Sequence, residues 1–145
     1  MTERTPQQTA DFVREGMLAN DRATQSLGMR IVEVAPGRAE VRMTVRGDML
    51  NGHSTCHGGF IAALADSAFA FACNSYNELT VASGFNVDFV APAREGDVLT
   101  ARCIEMSKAG RMGVYDADVI NQRGERVAVF RGRSYTAKGR PAVAA

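Results

Sequence analysis

The chain carries little net charge, few cysteines and no long uninterrupted apolar run. Each shortage closes off a class of function. Among 145 residues, 17 Lys and Arg face 16 Asp and Glu, a formal balance of +1. Such a balance makes no field strong enough to gather nucleic acid or an anionic membrane surface. The three cysteines, Cys56, Cys73 and Cys103, are an odd number outside any regular framework. That argues against a disulfide scaffold and for a reducing, cytoplasmic setting. The opening MTERTPQQTADFVREGM is polar and mixed in charge, unlike the basic start and apolar centre of an export signal. The longest apolar stretch, residues 58–73, is Ala-rich and broken by Asp66, and it is short for a membrane span. No internal repeat or low-complexity block is visible.

What is present suits one domain with its own core. Thr5-Pro6-Gln7-Gln8 reads as a helix start, with Thr5 as cap, Pro6 at the first helical position and Gln8 completing a capping box. That helix is expected to run to about Asn20, with Phe12, Val13, Met17 and Leu18 as contact residues. LGMRIVEVAPG and RAEVRMTVRG then read as two strands turning at Pro36-Gly37. In the second, Ala39, Val41, Met43 and Val45 alternate with Glu40, Arg42 and Thr44, the period of a half-buried strand. After residues 51–77 come four more strand-like segments, TVASGFNVDFVAPA, DVLTARCIEMSK, RMGVYDADVINQ and ERVAVFRGRSYTA. The breaks between them, REG, AG and RG, suit tight antiparallel turns. The order is helix, two strands, one long apolar helix, four strands.

A helix apolar on most of its circumference must be covered on most sides. A curled antiparallel sheet wrapped around it satisfies that, so the expected class is α+β. The domain should occupy residues 1–137, leaving 138–145 as a tail with little to anchor it. One flank of the helix and the sheet edges would still need cover, which favours a dimer.

The chemistry concentrates in NGHSTCHGGFIAALADSAFAFACNSYN, residues 51–77. Gly58-Gly59 stand at the helix start, where first-turn N–H groups are unpaired and the dipole is positive. That end can hold a carbonyl oxygen gaining negative charge; the same glycines also serve a plain tight turn. Asp66 is a poor helix-interior residue. It belongs either to a solvent stripe with Ser67 or, since Ala62, Ala63, Phe69 and Ala70 surround it at helical spacing, to a lined pocket. In a pocket it is a candidate base or nucleophile. Eight residues of helix separate it from Gly58, roughly 12 Å. One carbonyl cannot touch both groups of one helix, so a shared site would need two chains with antiparallel neighbouring helices. Cys56 beside His57 is a weaker thiolate–imidazole candidate, because sequence neighbours rarely point at each other. His53, Cys56 and His57 form a short cluster without a distant fourth ligand, a weak metal signal.

NGHSTCHGGFIAALADSAFAFACNS closely resembles the hotdog-fold thioesterases of bacterial phenylacetic acid degradation. The resemblance continues through VASGFNVDFVAPAREGDVLTA, GVYDADVINQRGE and VAVFRGRSY, from about Met29 to Tyr135. It implies a hotdog fold, dimers paired into a dimer of dimers, and hydrolysis of aryl-acyl-CoA thioesters, phenylacetyl-CoA and its ring-hydroxylated relatives foremost, with no metal or other cofactor. Residue by residue it implies Asp66 as catalytic carboxylate and Gly58 as backbone donor to the thioester oxygen. Asn51 would position the attacking water or carboxylate, and His57 would support the helix start. Gly59, Ser83, Phe69 and Leu50, with Met49, are candidates at the substrate; Lys108, Arg111, Arg131 and Arg133 are candidates for the CoA phosphates. A hotdog protein that binds acyl-CoA without hydrolysing it is the alternative. Asp66 weighs against it, since a binding module has no need of a buried acid.

Overall fold

The structure, a computed structural model, describes residues 3–145. The first helix, α1, spans Pro6–Asn20 with the complete Thr5/Gln8 capping box and Pro6 in its first turn. Its buried residues are Ala10 and Val13. Phe12 is only half-buried, with the Arg4 guanidinium over its ring at 3.8 Å. Asp21 ends α1 and caps a short second helix, α2 (Arg22–Ser26), which the sequence reading does not anticipate.

Strands β1 (Arg30–Ala35) and β2 (Arg38–Thr44) form a hairpin, with Gly37 at φ 75° in the turn. A 3-10 turn over Gly47–Met49 leads to the loop before α3 (Gly58–Cys73). Strands β3 (Thr80–Phe89), β4 (Val98–Ala109), β5 (Met112–Ile120) and β6 (Arg126–Thr136) complete one antiparallel sheet of order β1-β2-β4-β5-β6-β3. The AG and RG breaks are hairpin turns, with Gly110 at φ 62° and Gly124 at φ 77°. The REG break is not. Strand β3 pairs with β6 rather than β4, so residues 90–97 carry the chain from one edge of the sheet to its interior. Local turn chemistry cannot distinguish a hairpin from such a crossing.

The sheet wraps α3, whose Ile61, Leu64, Ala65, Ala68, Phe69, Phe71, Ala72 and Cys73 are buried. Gly132 on β6 lets the sheet close on the helix, since a Cβ there would lie 2.8 Å from the Phe69 ring. The opposite flank of α3, with Ala62, Ala63, Asp66, Ser67 and Ala70, stays half-buried. The C-terminal residues meet more of the fold than the sequence suggests. The Leu79 N–H donates to Arg140 O at 2.8 Å, and the Val143 N–H donates to Asn77 Oδ1 at 2.9 Å. None of the described helices is long and apolar enough to cross a membrane.

Candidate active site

The loop before α3 is tied down through its main chain. Leu50 and Cys56 form an isolated antiparallel bridge. The His57 N–H donates to Met49 O and the Cys56 N–H to Ala93 O, at 2.8 and 2.7 Å. Asn51 organises the bend: its Oδ1 accepts from the His53 and Thr55 N–H groups at 2.9 and 3.2 Å and from the Thr55 hydroxyl at 3.2 Å. Its Nδ2 donates to none of the described residues. His57 is the N-cap of α3 in extended geometry, and its exposed side chain makes no capping hydrogen bond. Among the described residues, therefore, no loop oxygen accepts from the Gly58 or Gly59 amide. An α-helix start left open in this way attracts an oxygen carrying negative charge.

A hollow of about 390 Å³ adjoins this helix start, lined by Thr55, Cys56, Gly58, Ile61 and residues 89–93. Phe89 lies so near the main chain that a Cβ on Gly58 would stand 2.9 Å from its ring, whereas Gly59 faces open space. Burial pushes the Cys56 thiol above its ordinary value, so it stays protonated, against the thiolate–imidazole reading. His53, Cys56 and His57 do not gather; among the described residues no three His, Cys, Asp or Glu side chains are placed to hold a metal ion.

Asp66 opens into a second hollow, of about 360 Å³, lined by Met17, Phe69, Cys73, Leu79 and Ala142 among others. The two hollows share no lining residue. Asp66 is half-buried, and none of the described residues forms a salt bridge with it. Its carboxyl is raised above the usual aspartate range, first by burial and then by the negative charge of Asp21. The neighbouring Ser67 is partly covered within the chain, its Oγ lying 3.1 Å from the Thr24 hydroxyl of α2. Cys73, pushed up to about 12 chiefly by burial, is a neutral wall.

The remaining candidates scatter. Phe69 does line the Asp66 hollow, yet it is 1% exposed and packs on Tyr115 and Phe130. Met49 is core, and Leu50 packs against the core. Ser83 lies at a β3 bulge, outside both hollows, and donates to Arg133 O at 3.1 Å. Arg131 is spent on Asp116, Arg133 on Asn86, and Lys108 lies over the Tyr76 ring near Glu78. The sequence reading missed Asp21, Phe89 and Ala142. Asp21 directly follows the expected end of α1 and caps α2, whereas the other two reach the hollows by tertiary contact.

One helix wrapped by a curled antiparallel sheet, with an open amide end and a lone carboxylate two turns later, defines a hotdog domain of the acyl-thioester hydrolase kind. Comparison with known proteins agrees. The Thioesterase superfamily profile matches residues 53–128. The acyl-coenzyme A thioesterase PaaI of Escherichia coli is 45% identical over 85% of this chain and 88% of its own. A putative esterase of Archaeoglobus fulgidus is 34% identical over 88% of this chain and 83% of its own. The solved E. coli PaaI structure, from the phenylacetic acid degradation operon, superposes with a TM-score of 0.91 at 41% identity, covering 94% of this chain and 99% of that one. The chain belongs to the thioesterase superfamily, as a hotdog thioesterase of the PaaI type.

Proposed function

We propose that this thioesterase hydrolyses aryl-acyl-CoA thioesters, phenylacetyl-CoA and its ring-hydroxylated relatives foremost, in a homodimer whose two sites are each built from both chains. The observation that carries this is the separation of the Gly58 amide end and Asp66 along one helix, opening into two hollows without a common residue. Two antiparallel copies of α3 bring the Gly58 end of one chain to the Asp66 of the other. The half-buried flank of small residues on α3 and the open edge of β3 support that arrangement. The identity to E. coli PaaI supports the substrate class.

In the site so formed, the thioester carbonyl accepts from the Gly58 N–H, and the helix dipole stabilises the oxyanion as it develops. Gly59 leaves room beside it. Asp66 takes a proton from water as the water attacks, or attacks directly to give an anhydride that water then opens. In both routes the C–S bond breaks, the thiolate leaves as CoA thiol, and the acid is released. The Asn51 Nδ2 donor orients the attacking group, and the His57 main chain, donating to Met49 O and accepting from the Phe60 N–H, ties down the helix start. Single turnover in labelled water separates the two routes, because only the anhydride places label in Asp66.

Asp66→Asn is expected to lower turnover by roughly 10²–10⁴-fold, the range for losing acid–base catalysis. Mixing Asp66→Asn chains with chains carrying a bulky Gly58 replacement should restore activity in hybrid dimers. Proven subunit exchange without recovery would sink the shared site. A dimer of dimers and a cytoplasmic setting complete the proposal.

A further inference from the structure

The C-terminal residues are held by devices that the hydrolytic step does not use. Leu79 exchanges two main-chain hydrogen bonds with the segment, donating to Arg140 O and accepting from the Ala137 N–H, each at 2.8 Å. Asn77 has φ 60°, in the left-handed region that asparagine tolerates better than most residues. Its side-chain amide grips both backbone groups of Val143. The Val143 N–H donates to Oδ1 at 2.9 Å, and Nδ2 donates to Val143 O at 3.3 Å. Val143 is also seated on α1 at Gly16, where any Cβ would overlap its Cγ1. Between these fixings, Ala142 joins Met17, Phe69, Ala70 and Ala82 in lining the Asp66 hollow.

The side chains of the same lining offer a ligand few polar partners. The Asn74 amide is consumed by Ala70 O, Thr80 O and the Thr80 N–H, and the Thr80 hydroxyl by Glu78 O and Thr136. Apart from the Asp66 carboxylate, those side chains meet a ligand mainly with apolar surface.

We propose that residues 140–143 are a specificity wall of the acyl pocket. The Asn77 clasp and the Gly16 seat fix Ala142 beside Asp66, and the small Ala142 side chain sets the bulk of the acyl group admitted. The proposal rests on the reading of Asp66 as the catalytic carboxylate.

Two variants move the wall in opposite directions. Ala142→Leu thickens it. Asn77→Gly keeps the positive φ accessible and removes both bonds to Val143, loosening it. The readout is the ratio of kcat/KM for acetyl-CoA to that for phenylacetyl-CoA and for the larger naphthylacetyl-CoA. Ala142→Leu should raise the small-to-bulky ratio about tenfold or more, the scale on which apolar pockets sense added methylenes. Asn77→Gly should lower the same ratio, most for naphthylacetyl-CoA. Should Ala142→Leu fail to fold, Asn77→Gly decides alone. Ratios within about twofold of the parent in the folded variants overturn the wall, since a real pocket boundary exceeds that. Asp66→Asn, run in parallel, separates the failures. Retained hydrolysis there overturns the catalytic reading, whereas lost hydrolysis with unmoved ratios overturns the wall alone.

Discussion

The two edges of the sheet are treated in opposite ways. At the β1 edge, α1 lies alongside and its side chains take up strand carbonyls: Gln7 Nε2 donates to Val34 O at 2.8 Å and Arg14 Nη2 to Ile31 O at 2.6 Å. Three of the six β1 residues are buried. At the β3 edge nothing comparable is present among the described residues. In that ten-residue strand only Thr80 is buried, and Val81, Phe85 and Phe89 are 54, 40 and 51% exposed. An unpaired apolar edge is a template for another strand, and proteins normally blunt it. This chain blunts one edge and leaves the other, and the open edge lies on the side of the two hollows: Phe89 at its end lines the Gly58 hollow, and Val81 and Ala82 line the Asp66 hollow. Where a sheet is left open beside the two proposed half-sites, a second copy is expected to finish both.

The largest test of that contrast is Phe85→Lys, which places a charge on the open edge. We expect monomers by sedimentation and hydrolysis reduced about 10²-fold or more, as for direct loss of the proposed catalytic carboxylate. A dimer with normal turnover would show that the open edge is not the interface. A smaller effect is expected from Asp21→Asn, which keeps a capping side chain for α2 and removes a negative charge near Asp66. The acidic limb of kcat/KM should move to lower pH, because in the proposed mechanism Asp66 acts in its ionised form. Stability gives the matching sign. Asp66 has a raised folded-state pKa, so its favourable contribution is present below the ordinary aspartate range and lost as pH rises through the raised value. Asp66→Asn should therefore melt higher than the parent at neutral pH, with the gap closing in acid. The smallest effect belongs to the covered edge: Gln7→Ala and Arg14→Ala should each cost about 1 kcal/mol in denaturant unfolding, with assembly unchanged.

Much of this was legible along the chain, for identifiable reasons. The α1 capping box, the alternation in β2 and the apolar run of α3 are local patterns, set by hydrogen bonding and side-chain period over a few residues. The Gly58–Asp66 spacing is equally local, because a helix has a fixed rise. The REG break was misread because strand pairing is not written in the turn. Phe69, expected at the substrate, is both core and pocket lining, because a residue on one helix face can touch both. The anchoring of the tail is illegible along the chain for a different reason. Gly16, Asn77 and Val143 are far apart in sequence, and none is unusual in its own segment.

Apart from α2 and the 3-10 turn, the order of the elements, the glycine pair at the start of α3 and the misplaced-looking acid two turns further on can be read along the chain alone. These follow from short-range rules of backbone and side chain. Which strand lies at each edge, that the Asp21 charge is felt at Asp66, and that Ala142 and Phe89 border the two hollows were settled by the folded chain. Those are contacts between segments distant along the chain, fixed when the sheet closes around the helix and shared burial selects one pairing from many.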